Sequence, residues 1–223
     1  MTIRTMLRHV FVPALAIAAV LGTAPAHGKG PVGENIKVRA TAIRITADLS
    51  NSTAIEQLIR DEDRLAKVLP AGGMDKFMTN LKQLGDVEVL GAPEATVESS
   101  GEGRLRFQSK SLTEHKERGF ISGMSTRFGL WFQPTVAEDG KMRLSLSGSM
   151  LAYTPDQNGA AVGQASTYTR LRDFETDVKV ANGQPVVLGG PMLKEEGDGG
   201  WTALILVVTP ERAGQSYAEA AGE

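Results

Sequence analysis

The sequence contains no cysteine. That excludes disulfides, a thiolate nucleophile, a cysteine-built metal site and the lipid anchor of a lipoprotein. A domain without cross-links is held by its core, its strand ladder or neighbouring subunits. Histidine is almost as scarce, with three in 223 residues. His9 and His27 lie in or beside the N-terminal leader, which leaves His115, in the charged stretch "SLTEHKERG", for the folded part. A solvated histidine in a loop or at a strand end is the simplest reading of it. Neither a Ser-His-Asp nor a Cys-His system has its parts here. A zinc site needs three or four clustered ligands, and the sequence shows no such cluster. "GEG" and "GDGG" lack the lysine and the strand-loop-helix setting of a phosphate-binding loop. "EEGDGG" lacks the spaced oxygen ligands of an EF-hand and reads as a polar hairpin tip. A glycosidase-type carboxylate pair is a spatial feature, and nothing in the sequence points to one. The expectation is a non-enzyme with no catalytic residues, no cofactor and no metal.

Positive charge is not in excess either. There are 24 basic and 26 acidic residues, a net of −2. A nucleic-acid binder needs a basic surface, so that partner is excluded. The content of 41% hydrophobic and 22% charged residues is that of a folded chain, with room for one domain or two small ones.

Long apolar runs are missing except at the start. Arg4 and Arg8 precede an apolar stretch from Val10 to Leu21, and Ala24-Pro25-Ala26 follows as a small-x-small exit. The run is short for a bilayer span and fits an export signal over residues 1–26. Its removal takes two positive charges and no acidic ones, so the mature net charge becomes −4. Residues 27–35, rich in Gly, Pro and polar groups, read as a linker.

Beyond the linker, "IKVRATAIRITADL" alternates. Ile36, Val38 and Ala40 take one parity, and Ile43, Ile45, Ala47 and Leu49 take the other, with a phase change of the kind a β-bulge causes near Ala42. Thr53 and Glu56 form a capping-box pattern. The spacing of Ile55, Leu58, Ile59, Leu65, Val68 and Leu69 predicts a helix that Pro70 stops. A second helix is predicted over residues 75–84, with Gly85 as its C-terminal glycine.

From residue 86 on, the pattern is β. "VEVLGAP" is a short strand. "ATVES" and "RLRFQS" flank Ser100-Gly101-Glu102-Gly103 as a predicted hairpin. Two long arms, "GMSTRFGLWFQP" and "KMRLSLSGSMLAY", meet at Asp139-Gly140, a hairpin turn. Met124, Thr126, Phe128, Leu130 and Phe132 share one face, answered by Met142, Leu144, Leu146, Gly148 and Met150. Each arm is long enough to cross a bilayer as a tilted strand, and equally suits a half-buried hairpin over a soluble core. Residues 154–166 read as a polar loop. "FETDVKV" is a strand with Phe174, Thr176, Val178 and Val180 on one face, turned back by Ala181-Asn182-Gly183 into "QPVVLGG". Pro185 belongs at a strand start or edge. The last strand, Trp201 to Val208, is apolar throughout, so it lies either between two layers or under a neighbouring molecule.

"VANGQPVVLGG" followed by "ALILVVTPE" resembles the end of the secretin domain, the pore-forming domain of type II and III secretion, type IV pili and filamentous phage. The matching residues are Val180, Gly183, Gln184, Val186, Val187, Leu188, Gly189 and Gly190, then Leu204 to Val208, Thr209 and Pro210. "LGDVEVLGAPEATV" is similar to the family's strand at Val89, Leu90, Ala92 and Pro93. The hairpin is similar through Gly129, Leu130, Pro134, Val136, Gly140, Leu144 and Leu146, and "IKVRATAIRIT" takes the place of the opening strand. The likeness covers residues 36–211 in order, followed by a tail at 212–223. Secretins usually carry several modules ahead of this domain; here the leader and linker fill that stretch. After the "LGG" element only "PMLKEEGDGG" lies before the last strand, and the stretches of the inner gate are short or missing after the first strand and around residues 109–122.

The resemblance implies an α+β fold, mainly antiparallel β, with long hairpins and one or two helices near the N-terminus. It implies a homo-oligomeric outer-membrane β-barrel subunit for type II or III secretion or pilus-type transport, with secretion or pilus proteins as partners. The reduced gate leaves an alternative: a soluble periplasmic β-domain that binds a protein or peptide without forming a pore. The Gly189-Gly190 bend and the Leu204–Val208 strand are the residues expected to carry the structure. N-terminal sequencing of the exported protein is expected to begin at His27; a mature chain that retains Arg4 and Arg8 contradicts the leader.

Overall fold

The computed structural model describes residues 17–19, 33–59, 66–115, 120–154, 168–194 and 200–213. The elements in chain order are β1 (Ile17–Ala19), β2 (Asn35–Asp48), α1 (Ser52–Ile59), β3 (Ala66–Val68), α2 (Gly73–Leu84), β4 (Asp86–Gly91), β5 (Glu94–Glu98), β6 (Gly103–His115), β7 (Phe120–Val136), β8 (Met142–Thr154), β9 (Tyr168–Val180), β10 (Val186–Lys194) and β11 (Gly200–Arg212). Every strand pairing is antiparallel. The fold is α+β in three layers: a wall sheet, a scaffold sheet and two helices.

The wall sheet is the meander β6-β7-β8-β9, with β1 on the outer edge of β6. The scaffold sheet runs β3-β10-β11-β2-β4, and β5 also pairs with β2. One core fills the space between the sheets. Ile36, Val38, Ala40, Leu188, Leu204, Leu206 and Val208 meet Leu105, Phe107, Phe128, Leu130, Phe132, Leu144, Leu146 and Phe174 there. A second core lies on the other face of the scaffold sheet. There Ile43, Ile45, Trp201, Ala203, Ile205 and Val207 pack on Ile55 and Ile59 of α1 and Phe77 and Leu81 of α2.

This arrangement explains the apolar run in β11. All residues from Trp201 to Val208 are buried. Leu204, Leu206 and Val208 serve the inter-sheet core, and Trp201, Ala203, Ile205 and Val207 serve the helices. A strand buried on both faces has no place for a polar alternation. It is the central-between-layers case, reached within one chain.

The parity change in β2 has the same origin. β2 pairs with β11 over its whole length without a slip, from Ile36↔Arg212 to Asp48↔Gly200. Its first half buries the face toward the wall sheet and its second half the face toward the helices. A register irregularity does occur between Ala42 and Ile43, but on the β4 side, where Ala42 faces Gly91 and Ile43 faces Val89. Leu90 of β4 is therefore the extra residue, and β2 itself is regular.

Several local expectations are corrected. α1 ends at Ile59, and Val68 belongs to the short strand β3, paired with β10, instead of to a helix. Leu69 follows β3 and is buried; Leu65 lies outside the described residues. Thr53 sits inside α1 instead of at its N-cap. Gly85 closes α2 with φ 176°, which is extended backbone, so a left-handed cap is not what it supplies. It is small because β2 passes against it: a Cβ there would collide with the Thr46 carbonyl oxygen and come within 2.8 Å of the Ala47 Cβ.

Ser100-Gly101-Glu102-Gly103 makes a turn, with the Gly101 N–H donating to the Glu98 carbonyl at 2.8 Å. It is not a hairpin, because β5 pairs with β2 while β6 pairs with β7. Ala181-Asn182-Gly183 likewise turns but carries the chain from the wall sheet to the scaffold sheet. The Asp139-Gly140 hairpin stands as read, in register from Val136↔Met142 to Ser125↔Tyr153. Pro185 immediately precedes β10, at a strand start, and its carbonyl accepts the Leu69 N–H at 2.9 Å.

At Gly189-Gly190, β10 carries a bulge: Gly189 faces Ile205 and Met192 faces Ala203, so two residues oppose Leu204. A Cβ on Gly190 would sit 2.5 Å from the Leu204 carbonyl oxygen and 3.0 Å from the Met150 sulfur. The bulge thus lets the two sheets approach.

Truncating Ile205 or Leu206 to Ala is expected to cost about 2–5 kcal/mol each, because each fills a different core. Val89→Ala, at an exposed site, is expected to stay within about 0.5 kcal/mol of the unchanged protein. Urea unfolding midpoints check all three.

Candidate functional site

The wall sheet has two faces of different chemistry. Over the inter-sheet core the inner face is apolar and buried. The outer face carries Arg104, Arg106, Gln108 and Lys110 on β6; Arg127, Gly129, Trp131 and Gln133 on β7; Arg143, Ser145, Ser147, Ser149 and Leu151 on β8; and Leu171, Asp173, Glu175, Asp177 and Lys179 on β9. The sequence alternation assigns these faces correctly in β7, β8 and β9. What it does not display is how they line up across strands.

The register produces rows that run across the sheet. Arg104 faces Trp131, Trp131 faces Ser147, and Ser147 faces Glu175. Arg106 faces Gly129, Gly129 faces Ser149, and Ser149 faces Asp173. Each row begins with a cation on β6, crosses neutral residues (Trp131 and Ser147 in one, Gly129 and Ser149 in the other), and ends with an anion on β9. Between the edges lies an open hollow of about 570 Å3 that includes Trp131, Gln133, Ser147, Glu175 and Asp177 in its lining.

Most of these edge charges are uncompensated. Arg104, Arg106, Asp173 and Glu175 have no ion-pair partner among the described residues. Arg104 lies over the half-exposed Trp131 ring, 4.2 Å from its centroid. Loss of water around the guanidinium, and then the like charge of Arg106, hold Arg104 below its usual range. Toward the Asp139-Gly140 end the charges do pair. Arg143 donates to Asp177 at 3.1 Å, and Lys179 reaches Asp139 at 2.8 Å.

The strands of the wall sheet run past the core. Beyond Phe107 and Phe128, the inward positions Ser109 and Thr126 face each other in register. Both are buried, and neither hydroxyl has a hydrogen-bond partner among the described residues. Among the described residues β9 pairs with β8 alone, which leaves its other edge without a strand partner there. On β6, β1 covers only Arg106 to Gln108.

No group of three or more His, Cys, Asp or Glu suited to a metal occurs among the described residues. His115 ends β6, as a strand-end histidine, and its side chain lies outside the described residues. "EEGDGG", apart from Gly200 at the start of β11, falls outside them as well, and so does the loop predicted over 154–166, apart from Thr154, which ends β8. Among the described residues no helix is long and apolar enough to cross a membrane, which leaves β-barrels unaddressed.

A family model for Secretin, bacterial type II and III secretion system protein, matches residues 80–199, more than half of the chain. The chain belongs to the secretin family. The matched segment holds the whole wall sheet of this secretin apart from β1. The family is one of transport channels and not of enzymes. No curated protein matches. Among solved structures, the Salmonella SPI-1 type III secretion injectisome secretin InvG is similar over 84% of this chain and 64% of its own, at 10% identity and a TM-score of 0.40. The type II secretin GspD from enteropathogenic Escherichia coli is similar over 84% of this chain and 72% of its own, at 12% identity and a TM-score of 0.42. The V. cholerae type IV competence pilus secretin PilQ is similar over 82% and 61%, at 12% identity and a TM-score of 0.39. The chain thus spans less than two thirds of the solved InvG (residues 176-end) and PilQ chains.

The paired end of β9 makes a pH prediction. Hydrogen bonds from Ser145 and then Arg143 hold the Asp177 carboxyl below its ordinary value. Lys179 and then the Lys141 N–H do the same for Asp139. A carboxylate depressed in the folded state adds stability above its unfolded value, about 3.9, and that stability is lost as pH falls through the folded value. Both groups are exposed, so the effect is small. Asp177→Asn is expected to reduce the difference in urea midpoint between pH 6 and pH 3.

Proposed function

We propose that this secretin works as one subunit of a homo-oligomeric β-barrel in the outer membrane of a Gram-negative-type bacterium, in protein secretion or pilus-type transport. Each copy adds β6, β7, β8 and β9 to a shared sheet. The observation that carries the reading is the wall sheet itself, which outgrows its core and ends in long edges. An open edge invites pairing, and closure through identical subunits removes it. Four strands per copy is an even number, so β9 of one copy meets β6 of the next antiparallel and the meander continues around the ring. Within lipid, only such closure satisfies every backbone group.

The proposal includes export. Cleavage after Ala26 would take away β1 and leave the outer edge of β6 bare. Assembly would then begin only after the leader is gone. Secretion or pilus components of the envelope are the expected partners.

One observation favours the alternative, a soluble periplasmic module that binds a protein or peptide by adding a strand to its edge. The outer face between Arg104 and Leu151 is charged or rich in serine, unlike a surface that meets lipid. In the barrel reading this stretch is a wall outside the hydrocarbon layer.

Fractionation separates the two. The barrel subunit is expected to stay with outer-membrane material through a carbonate wash and to migrate as a large, heat-sensitive oligomer. Recovery as a clean monomer in osmotic-shock fluid would reject the barrel and leave the soluble module.

A further inference from the structure

We propose that neighbouring copies join β6 to β9 in one defined register, in which Glu102, Arg104, Arg106 and Gln108 of one copy face Lys179, Asp177, Glu175 and Asp173 of the next. This rests on the ring reading above and adds to it the partner surface and its code.

The faces restrict the choices first. Side chains alternate across a strand, so a shift of one residue would turn the apolar face of β6 to the solvent side of β9. Only shifts by two residues keep inner faces together, and the charges rank those. Straight across the sheet, Arg104 would meet Glu175 and Arg106 would meet Asp173, but Glu102 would meet Asp177, a like-charge contact. Four residues from straight across, Arg104 would meet Lys179, again like charges. The intermediate register, two residues from straight across, has no such conflict. Three opposite-charge pairs form, Glu102 with Lys179, Arg104 with Asp177 and Arg106 with Glu175, the first two sharing Lys179 and Asp177 with Asp139 and Arg143 of their own copy, and Gln108 can donate to Asp173. Opposite charges directly across strands stabilise the pairing, and like charges oppose it.

The inner face agrees. In this register Phe107 faces Phe174 across the seam, two rings that both border the inter-sheet core. Ser109, whose buried hydroxyl has no partner among the described residues, faces the polar side chain of Arg172, which also donates to the Gly190 carbonyl. Straight across, Phe107 would instead face Arg172. In the register four residues away, Ser109 would face Phe174. A two-residue offset per copy is also a stagger, and a sheet of tilted strands cannot close without stagger. The rows of the wall sheet, cationic at one edge and anionic at the other, are thus the two halves of a seam that a single copy cannot make.

The absence of cysteine makes the register directly readable. Residues 106 and 175 are separated by two strands within one chain, too far for an intrachain disulfide, so a cross-link between them joins two copies. The doubly substituted protein Arg106→Cys with Glu175→Cys, and likewise Arg104→Cys with Asp177→Cys, is expected to give a disulfide-linked ladder in the envelope fraction. Arg106→Cys with Asp173→Cys, and Arg106→Cys with Asp177→Cys, are expected to give at least tenfold less. A charge exchange supplies the second arm. R104E/R106E and E175R/D177R are each expected to lose at least tenfold in oligomer, and the chain carrying all four to recover to within about threefold of the parent. If the parent forms oligomers but the strong ladder appears in another register, or the fourfold exchange stays monomeric while folded by circular dichroism, the register is wrong and the ring reading stands. A parent chain that never forms oligomers removes both.

Discussion

The molecule is organised by one strand that has no exposed face. β11 lies between the wall sheet and the helices, so its two sets of side chains must each find a complete core. Burying an aliphatic side chain of this size contributes about 1.5–3 kcal/mol, and an entire strand of them holds two layers to a third. The other features follow from serving that strand. β2 pairs with it without a slip and divides its own burial between the layers. β10 must bend where the layers converge, and the bulge opposite Leu204 gives it room. A chain without cross-links depends on this double burial for its integrity.

Much of this was legible in the residues. Strict alternation assigned inward and outward positions in β7, β8 and β9, because a period of two is a local signal. The run from Leu204 to Val208 declared itself buried, and Pro185 was placed at a strand start by its missing donor. Less was legible where a local signal has two long-range outcomes. Ser100-Gly101-Glu102-Gly103 and Ala181-Asn182-Gly183 contain good turn residues, but turn chemistry is the same whether the next strand returns beside the last or crosses to another sheet. The parity change in β2 looked like a bulge because the sequence shows which residues are apolar and not which layer covers them. Gly85 looked like a left-handed cap, and is instead a point of close approach to a strand distant in sequence.

The surface proposed for assembly was hidden for a related reason. Arg104 and Arg106 are unremarkable as two basic residues in a strand, and Asp173 and Glu175 as two acidic ones. Only the register puts them at opposite ends of the same rows, with Gly129, Ser147 and Ser149 between. The family likeness pointed to many copies, but the arrangement of charge is a property of this chain and came from the pairing of its strands.

The meander β6 to β9 leaves the scaffold sheet after Glu98 and returns to it at Val186, and both passages lie at the end where β2 begins and β11 finishes. The turn at Asp139-Gly140 is tied to the same end by Arg212, which donates to the Gly140 carbonyl at 2.8 Å. Among the described residues, the wall sheet is therefore a cantilever clamped at this end. The ties at Glu98, Gly140 and Val186 set its footing, so evolution or an engineer can retune the outward side chains along its strands while the foundation keeps its sequence.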